Sequence, residues 1–480
     1  MDINLTTKPE RLECDVAIVG AGGAGLAAAV AASEQGARVI ILEKRRKPGG
    51  NSAMAEGFFA VESPVQRKSL IDARRDEFFR KAMDYCHWTL DPRIIRAFVD
   101  KSGDTVRWLQ EKGLQIDAIT AYYPNQNPMV WHCPDRRGTV VVETLLRSCD
   151  SLGVMIRSET AAKKIITDEL GRVVGVLAEG NYKELEIGAR RVILASGGFV
   201  GNEELLKKYC PNYPEGLLCL GLPHQGDGLQ MALALGANVE GLGNLHVAGP
   251  DFVSSRSVRA VVHEPSVVWV NKRGERFIDE AVGLNHFESV NAIIRQPDKA
   301  CYAVIDDRIK CDMIENGFVT PYGNRWVTSE IRSNLDRDLR TQADRGRVKL
   351  ADTWDEIAGW VGADPAVLKG TIKDYNSYCS EGYDAVFAKE RRHLQSLGTP
   401  PYYAIKCDVI LLTTMGGIKI NHRMEVLDGD DNPIEGLYAV GNDAGGWEPA
   451  TYDALLTGTA FGFALNSGRI AGEGAAKGHA

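Results

Sequence analysis

Apolar runs and clustered glycines alternate near the beginning of the chain, in an order that predicts strand, turn, helix and strand. Residues 14–19 are apolar and rich in β-branched side chains, which is typical of a buried parallel strand. The GxGxxG spacing of residues 20–25 follows, then an alanine-rich helix over 26–35 and a strand over 38–42. Glu43 ends that strand about 20 residues after the first glycine, where a ribose-binding acid is expected. This order indicates a dinucleotide-binding unit, in which glycines let backbone N–H groups approach a pyrophosphate.

The hydrophobic period changes in the middle of the chain. Residues 64–113 and 139–152 carry apolar side chains at spacings of three and four, which predicts helices. Alternating positions then predict a three-stranded antiparallel meander followed by a buried strand, over the runs 162–167, 172–178, 183–188 and 191–195. The last strand runs into Ser196-Gly197-Gly198, a second place where a predicted strand ends in glycine.

A further change in the pattern predicts a second domain. Residues 244–395 are richer in tryptophan, charge and helix-like segments, and they lack strands that end in glycine. We expect one domain formed by residues 1–243 and 396–480, interrupted by this second domain. The returning part is expected to contain a hairpin, a sheet strand and a closing helix, within 415–445, at 437–440 and over 454–473.

The composition is that of an ordinary globular protein with an excess of glycine. The 480 residues are 44% hydrophobic and 25% charged. The 50 glycines are about 10% of the chain against a usual share of roughly 7%. Many of them stand at the ends of apolar runs, where glycine permits close approach of backbone to a ligand.

Charge and cysteine usage limit the partners and the compartment. The net charge is -8 without a run of five like charges, so a nucleic-acid or anionic-membrane partner is not expected. The ten cysteines form no CxxC pair, so no metal site is expected, and they indicate reduced, mostly buried thiols of a cytoplasmic protein. Residues 1–15 lack the apolar core of a signal peptide. The apolar run Val16–Ala32 is glycine-rich, which favours strand, turn and helix over a membrane span.

Seven motifs, in order along nearly the whole chain, resemble those of the FAD-binding flavoproteins of the fumarate reductase, succinate dehydrogenase and 3-ketosteroid dehydrogenase group. They are VAIVGAGGAGLAAAVAA, LEKRRKPGGNS, ILASGGF with Asn202 after it, QGDGLQMALALGA, VNKRGERFIDE, TMGGIKIN and GLYAVGN. The resemblance implies an α/β fold, in which a Rossmann-like FAD-binding domain with a parallel sheet and an antiparallel meander is interrupted by an α+β capping domain. The substrate would lie between the two domains, beneath the flavin ring.

The resemblance also implies which residues bind FAD. Gly20, Gly22 and Gly25 would cradle the pyrophosphate, and Glu43 would hold the adenosine ribose. Backbone N–H groups at the start of the last helix, in residues 454–458, would face the flavin pyrimidine. The other implied positions are Gly23, Ala24, Lys44, Gly49, Gly50, Asn51, Ser52, Ala162, Ser196, Gly197, Asp227, Gly441, Asn442, Ala454, Leu455 and Leu456. Since Asn51 stands where some members attach FAD through histidine, we expect noncovalent FAD.

The pattern of the dicarboxylate enzymes in this group is broken at three charged positions. Leu284 stands where an arginine would deliver a proton, and Thr413-Thr414 stand where a histidine would clamp a carboxylate. No arginine occurs between residues 424 and 468, where a second clamp arginine would lie. A dicarboxylate substrate is therefore not expected.

The ketosteroid dehydrogenase branch suggests a different set of catalytic residues. It places a tyrosine where Tyr452 falls, with a hydroxyl that donates to a substrate ketone. That branch also has a base tyrosine at Leu284, so His286 is the first substitute candidate, followed by His246 and the pair Tyr122 and Tyr123. Each of these side chains could equally be a packed ring or a structural histidine.

The expected function is FAD-dependent oxidation or reduction of a carbon-carbon bond next to a carbonyl, in a neutral and cyclic small molecule, by hydride transfer with flavin N5. The electron donor or acceptor is unidentified, because the chain has no second dinucleotide motif and no haem or iron-sulfur motif. One alternative is a 2-enoate reductase that clamps a carboxylate with cap arginines, for which Arg256, Arg259 and Arg325 are candidates. Another is a flavin-binding subunit without catalysis.

Overall fold

The computed structural model describes residues 10–116, 118–122, 126–180, 183–211, 217–319, 325–326 and 329–477. Its strands are β1 (Glu10–Val19), β2 (Val39–Leu42), β3 (Phe58–Phe59), β4 (Ala118–Thr120), β5 (Trp131–Cys133), β6 (Met155–Arg157), β7 (Thr160–Thr167), β8 (Val173–Gly180), β9 (Lys183–Leu194), β10 (Leu218–Cys219), β11 (Val239–Glu240), β12 (Leu245–Asp251), β13 (Val268–Val270), β14 (Tyr302–Asp306), β15 (Phe318–Val319), β16 (Arg325–Trp326), β17 (Val348–Ala351), β18 (Tyr402–Lys406), β19 (Asp408–Thr414), β20 (Gly417–Ile418), β21 (Glu425–Leu427) and β22 (Pro433–Ala439).

Helices alternate with these strands. They are α1 (Gly23–Ser33), α2 (Pro64–Lys68), α3 (Arg75–Tyr85), α4 (Pro92–Glu111), α5 (Arg137–Ser151), α6 (Glu203–Tyr209), α7 (Asp227–Leu233), α8 (Arg256–Val262), α9 (His286–Ile293), α10 (Asp307–Asn316), α11 (Ser329–Asp344), α12 (Trp354–Val361), α13 (Pro365–Glu381) and α14 (Thr459–Lys477). Short 3-10 turns lie at Gly50–Met54, Glu280–Leu284, Pro297–Lys299, Arg391–His393, Gly441–Asp443 and Ala454–Leu456.

The largest sheet has the order β21-β22-β9-β1-β2-β6, with β8 paired to β9 and β7 paired to β8. The pairs from β22 to β6 are parallel, and β7, β8 and β9 form the predicted antiparallel meander. The sequence predicted separate strands at 183–188 and 191–195, but β9 is continuous. It pairs with β1 on one edge and with β8 and then β22 on the other. The predicted α/β fold with a parallel sheet and a meander is confirmed.

The two ends of the chain pack together through small side chains. The alanine-rich α1 is buried along nearly its whole length and lies against α14. Side chains on Gly468 and Gly472 of α14 would collide with the backbone of Ala24 and Ala28 on α1. Glycine therefore sets how closely these two helices approach each other, and packing at this density depends on every methyl group.

A second hydrophobic cluster lies in the middle of the chain. It extends from Phe252 to Ile405, while the first cluster is formed by residues before and after this range together with Phe287 and Val290 of α9. A four-stranded antiparallel sheet with the order β13-β14-β18-β17 forms its centre, and α8 and α10 to α13 contribute to its core. The boundaries 243/244 and 395/396 remain a proposal, and the described clusters place the change of core at about 252 and 405.

A buried charge network supports the segment that leads from the second cluster to the site. Glu280 and Lys389 form a 3.0 Å ion pair with both side chains fully buried, and Arg276 binds Glu280 and Asp384 at 3.0 and 2.9 Å. Leaving any one of these charges unpaired would be costly, because burial removes its water. Glu280 begins the 3-10 turn that precedes α9, so the network fixes the position of that helix.

The last helix begins later than predicted. Ala454–Leu456 forms a separate 3-10 turn, and α14 begins at Thr459 instead of residue 454. Asp453 accepts a hydrogen bond from the N–H of Leu455 at 2.8 Å and so begins the 3-10 turn, which ends before α14 starts. No helix in the described ranges combines the length and apolar composition needed to cross a bilayer. The structure describes all ten cysteines and joins none of them by a disulfide, and only half of them are fully buried.

Candidate active site

Four parallel strands end at one large cavity. The residues that follow or close β1, β2, β9 and β22 line a cavity of about 490 Å³ at the carboxyl edge of the sheet. Ligands of open parallel sheets bind at this edge. The cavity continues to β12 and to the side chains of Arg259 on α8 and of His286 and Phe287 on α9.

The first glycine turn is held in shape by a carboxylate. Gly20 has a φ of 105°, and a side chain there would collide with the carbonyl of Ala195 on the neighbouring strand. Glu43 accepts hydrogen bonds from the N–H groups of Ala21 and Arg45 at 2.9 and 2.8 Å. The glycine turn and the end of β2 are thereby fixed relative to each other, as a nucleotide-binding turn requires.

Asp443 organises the second glycine turn, although it is not among the cofactor-binding residues expected from the sequence. Its carboxylate accepts hydrogen bonds from the N–H of Gly198 and the hydroxyl of Ser196, both at 2.9 Å, and from the Ser196 N–H at 2.5 Å. Burial raises the pKa of Asp443, and these donors act in the opposite direction. Its position directly after the predicted residues Gly441 and Asn442 is the sequence feature that could have marked Asp443 as part of the site.

Charged and imidazole groups surround the outer end of the cavity. Lys44 forms an ion pair with Asp227, which begins α7. His224 lies against Gly197, and desolvation followed by the charges of Lys44 and Arg45 lowers its pKa to about 4. Its Nδ1 is buried without a hydrogen bond partner in the described structure. This end of the cavity therefore offers neutral and charged polar groups for the ribose and phosphates of a nucleotide.

Most of the predicted cofactor residues meet in this cavity. The following predicted positions line it: Gly20, Gly22, Gly23, Ala24, Glu43, Lys44, Gly50, Asn51, Ser52, Ala162, Ser196, Gly197, Asp227, Gly441 and Asn442. Gly25 does not line it, because this glycine faces the carbonyl of Gly20, where a side chain would collide. Gly49, Ala454, Leu455 and Leu456 are also outside the lining.

The start of α14 reaches the cavity with a different set of residues from the predicted one. Thr457, Gly458, Ala460 and Phe461 line it in place of 454–456. Gly458 has a φ of 85°, and a side chain there would collide with the backbone of Phe58. The turn therefore places the N-terminal end of α14 at the cavity, where a helix start favours negative charge.

Aromatic rings form the inner end of the cavity. The rings of His246 and Tyr452 stack with centroids 3.9 Å apart, and Phe287 lies 4.9 and 4.7 Å from these two rings. Tyr122 lies 5.4 Å from Phe287 and 5.5 Å from Trp131. All of these rings line the cavity. A flat and mainly apolar substrate would make the contacts that such rings favour.

Tyr122 and His286 are joined by a hydrogen bond. The Tyr122 hydroxyl lies against Nε2 of His286, whose Nδ1 is 3.3 Å from the carbonyl of Gly283. Because a carbonyl accepts only, Nδ1 carries the proton and Nε2 accepts from the hydroxyl. Desolvation, followed by the neighbouring His263 and Arg259, lowers the pKa of His286 to about 3, so the imidazole is neutral. Desolvation raises the pKa of Tyr122, so its hydroxyl keeps its proton.

His246 and Tyr452 are also held in their uncharged forms. Burial lowers the pKa of His246 to about 3 and raises that of Tyr452. Nε2 of His246 is buried and has no hydrogen bond partner in the described structure. Four of the five predicted catalytic residues, Tyr452, His286, Tyr122 and His246, therefore meet in one place. Tyr123 lies outside the described residues.

A buried glutamine connects the tyrosine segment to the turn before α14. Oε1 of Gln126 accepts from the N–H of Tyr122 at 2.8 Å. Its Nε2 donates to the carbonyl of Ala454 and the hydroxyl of Thr457 at 3.1 and 2.6 Å. The position of Tyr122 relative to Tyr452 is thus set by hydrogen bonds as well as by ring packing.

Only one of the three cap arginines considered above is placed in the cavity. Arg259 lines it, Arg256 is exposed outside the lining, and the side chain of Arg325 is not among those described. Arg259 forms a 2.7 Å ion pair with Asp251, whose carboxylate is 1% exposed. Thr413 accepts a 2.7 Å hydrogen bond from Asn442 and so links two cavity segments.

The cavity has the features that an FAD site requires. A side chain on Gly22 would have only the Gly49 carbonyl within 4.0 Å, so the cavity is open above this turn. Oδ1 of Asn442 is buried at the lining without a partner, like Nδ1 of His224. Within the described residues, no group of three or more His, Cys, Asp or Glu could hold a metal ion. Fold and site together define an FAD-dependent oxidoreductase.

Comparison with known proteins supports this class. The family model of the FAD binding domain matches residues 15–452. The vinyl phenol reductase of Lactiplantibacillus plantarum is 31% identical over 479 residues, which cover 96% of each chain. The open conformation of a flavocytochrome c3 fumarate reductase is 27% identical with a TM-score of 0.74, covering 97% of this chain and 78% of that one.

A second solved structure has the same fold at lower identity. The 3-ketosteroid-Δ4-(5α)-dehydrogenase of Rhodococcus jostii RHA1 aligns with a TM-score of 0.77 and 24% identity, covering 98% of both chains. The chain therefore belongs to the FAD binding domain family. It is an enzyme, FAD is its cofactor, and its reaction is an oxidation or reduction at a carbon-carbon bond.

Proposed function

We propose that this enzyme reduces, or in the reverse direction forms, a C=C bond conjugated to a neutral ketone or phenol oxygen in a flat cyclic substrate. The observation that carries the proposal is the hydrogen-bonded pair Tyr122 and His286 in a cavity end walled by aromatic rings. The name of the Lactiplantibacillus plantarum relative, vinyl phenol reductase, adds support for a neutral aromatic substrate. A cytoplasmic location remains a prediction from the sequence.

The cofactor and the protein have separate tasks in this reaction. Reduced FAD supplies a hydride when it is bound. Tyr452 is suited to donate its hydroxyl proton in a hydrogen bond to the substrate oxygen, on which negative charge develops when the hydride is added to the β-carbon. A donor held in a dry cavity stabilises such a charge more than water does.

The proton is delivered by Tyr122. Its hydroxyl holds the transferable proton, because His286 is neutral and has no proton on Nε2. The α-carbon of an enolate is more basic than a tyrosinate, so transfer from Tyr122 to that carbon is favourable. One hydride and one proton then saturate the double bond, and Tyr122 regains a proton from water. His286 positions Tyr122 by accepting this proton in a hydrogen bond, and the O–H turns from Nε2 to the α-carbon when the proton is transferred.

A vinyl phenol can enter the same reaction. Transfer of its hydroxyl proton to water and of the Tyr122 proton to its terminal carbon converts it into a quinone methide, which is a conjugated ketone. Hydride addition next to the ring then gives the ethyl phenol anion. The same charge therefore develops on the same oxygen in both substrate types, which is the charge that Tyr452 is placed to stabilise.

A second candidate is a reductase of an unsaturated monocarboxylate. The observation in its favour is that Arg259 lines the inner end of the cavity, beside Tyr122 and His286. A bidentate arginine is the preferred partner of a carboxylate. Its ion pair with the buried Asp251 opposes this use, because the positive charge is already neutralised.

A substrate panel tests the proposal. The bound flavin is reduced without oxygen, and 4-vinylphenol, 2-cyclohexenone, a steroid enone, cinnamate or fumarate is added while the oxidised flavin spectrum is followed. We expect at least one neutral compound to restore the oxidised spectrum and to be recovered with two added hydrogens. Restoration by cinnamate alone would support the second candidate, and restoration by fumarate alone would contradict both.

A further inference from the structure

A buried carboxylate stands directly behind the one arginine of the inner cavity. Asp251 ends β12 and is 1% exposed, while Arg259 on α8 is 46% exposed in its side chain. Their ion pair measures 2.7 Å. Arg259 lines the cavity and Asp251 lies outside the lining. A substrate in the cavity would therefore contact a guanidinium that is already ion-paired with Asp251.

Among the described residues that line the cavity, none beside Arg259 offers a second positive charge. His263 and His286 stack at 4.8 Å beside Arg259, and desolvation lowers their pKa values to about 4 and about 3. Glu56 lines the cavity and is close enough to Tyr122 to raise its pKa. Among the described lining residues, the remaining cations Lys44 and Arg45 are next to Glu43, at the nucleotide end.

We propose that Asp251 determines substrate specificity by holding Arg259 charge-paired, so that the inner cavity accepts neutral substrates and rejects carboxylates. This inference rests on the proposed function of the same cavity. A carboxylate entering the site would have to compete with Asp251 for the guanidinium. Glu56 adds only a weak repulsion, because its side chain is 51% exposed and forms a 3.1 Å ion pair with Arg137.

The inference predicts a gain of affinity when the carboxylate is removed. Asp251→Asn keeps the oxygen that accepts the N–H of Phe252 at 2.6 Å, and it frees the guanidinium of Arg259. A hydrogen bond between charged groups is strong enough to change affinity by about ten-fold or more. The partly exposed arginine keeps contact with solvent, so the variant is expected to fold.

The experiment measures binding to the FAD-loaded enzyme in its oxidised form, from the change in the visible flavin spectrum. The probes are 4-vinylphenol and 4-hydroxycinnamate, which differ by one carboxylate. We expect wild type to bind the neutral probe at least about ten-fold more tightly. Asp251→Asn should bind 4-hydroxycinnamate about ten-fold or more tightly than wild type does, and the double variant Asp251→Asn with Arg259→Gln should lose this gain.

A matched control removes the carboxylate of an aspartate–arginine ion pair that lies outside the cavity lining. Asp104 pairs with the mostly buried Arg469 at 3.1 Å, outside the cavity lining, so Asp104→Asn should leave both affinities unchanged. Equal affinity of wild type for the two probes would overturn the inference even if Asp251→Asn did not fold. A folded Asp251→Asn without tighter binding of 4-hydroxycinnamate would overturn it as well.

The binding experiment and the substrate panel distinguish a failure of the inference about Asp251 from a failure of the proposed function. If wild type binds the neutral probe selectively but reduces no neutral compound, the proposed function is wrong and the role of Asp251 in selectivity remains supported. If neutral compounds are reduced and the two probes bind equally, the proposed function is supported and Asp251 has no role in selectivity.

Discussion

Individual side chains of the inner cavity are kept uncharged by desolvation, which suits a reaction at a neutral oxygen. His246 and His286 have lowered pKa values, and Tyr122 and Tyr452 have raised ones. Neutral rings donate and accept single hydrogen bonds without attracting counter-ions. The reaction at this site therefore depends on which tyrosine hydroxyl lies next to which atom of the substrate.

Replacement of Tyr452 by phenylalanine tests the proposed donor to the substrate oxygen. Removing one such donor usually lowers kcat by about 10²–10³. We expect that loss for Tyr452→Phe, with a smaller change in KM, in a steady-state assay with the best substrate of the panel. Tyr438→Phe is the control, because Tyr438 is a buried tyrosine on β22 outside the cavity lining. Full turnover by Tyr452→Phe would exclude the proposed role.

The buried carboxyl of Asp453 is expected to make the stability of the folded protein depend on pH. Burial raises its pKa to about 7, above the roughly 3.9 of an unfolded aspartate. Between these values the folded state binds more protons than the unfolded state, so Asp453 lowers stability as pH rises from about 4 to about 7. Asp453→Asn cannot ionise. Its Tm relative to wild type should therefore increase between about pH 4.5 and 7.5 and then level off.

Asp431 provides the opposite case for comparison. A hydrogen bond from Lys419 lowers the pKa of this exposed carboxyl. The folded state therefore releases its proton first, and the Tm of Asp431→Asn relative to wild type should decrease, by a small amount, as pH rises. A relative Tm of Asp453→Asn that is flat or falls with pH would contradict the assignment of a raised pKa.

At the scale of elements, the cavity depends on turns that place strand and helix ends close together. Asp443 holds the turn after β9, and Gln126 joins the tyrosine segment to the turn before α14. The start of α14 is positioned by Gly458, which faces the backbone at β3. These contacts connect segments that are far apart in sequence.

Replacement of Gly458 by alanine should displace the start of α14. Its φ of 85° and its contact with Phe58 both oppose a side chain. The left-handed conformation alone costs an L-residue about 1–2 kcal/mol. We expect the free energy of unfolding to fall by about 2 kcal/mol or more, and FAD affinity to fall measurably in a titration of the apoprotein. Gly398→Ala, at an exposed glycine with open space around it, should change neither quantity.

At the scale of the whole molecule, local patterns predicted the FAD-binding core well. The first strand, helix and second strand occur where the glycine motif and β-branched runs placed them. The break expected between 188 and 191 is absent, because β9 gains a parallel partner, β22, from the other end of the chain. The helix expected from 454 begins at Thr459, because Asp453 and Gly458 form turns that composition does not reveal.

The inner cavity was harder to predict than the cofactor end. Glycine motifs are contiguous in sequence, whereas the stacking of His263 on His286 and the pairing of Asp251 with Arg259 depend on how α8, α9 and β12 pack. No local pattern marks such contacts. Tyr122, His246, His286 and Tyr452 were candidates because of residue type and motif position, and packing brings them together.

We expect the protein to bind FAD without a covalent bond. Asn51 lines the cavity and accepts the N–H of Leu222 at 2.7 Å, and an amide does not attach flavin. Acid precipitation of the purified protein should therefore leave the yellow colour in the supernatant, measured by flavin absorbance. Colour retained in the washed pellet would contradict noncovalent binding.

Proton delivery from Tyr122, positioned by His286, to a neutral substrate is the step on which the proposed reaction depends. It is tested most directly by single-turnover reoxidation of the reduced flavin in wild type and Tyr122→Phe, with the neutral compound that the panel selects. We predict that the rate in Tyr122→Phe falls by about 10²–10⁴, while the substrate affinity measured from the flavin spectrum changes by no more than about three-fold. Reoxidation at the wild-type rate would contradict the claim.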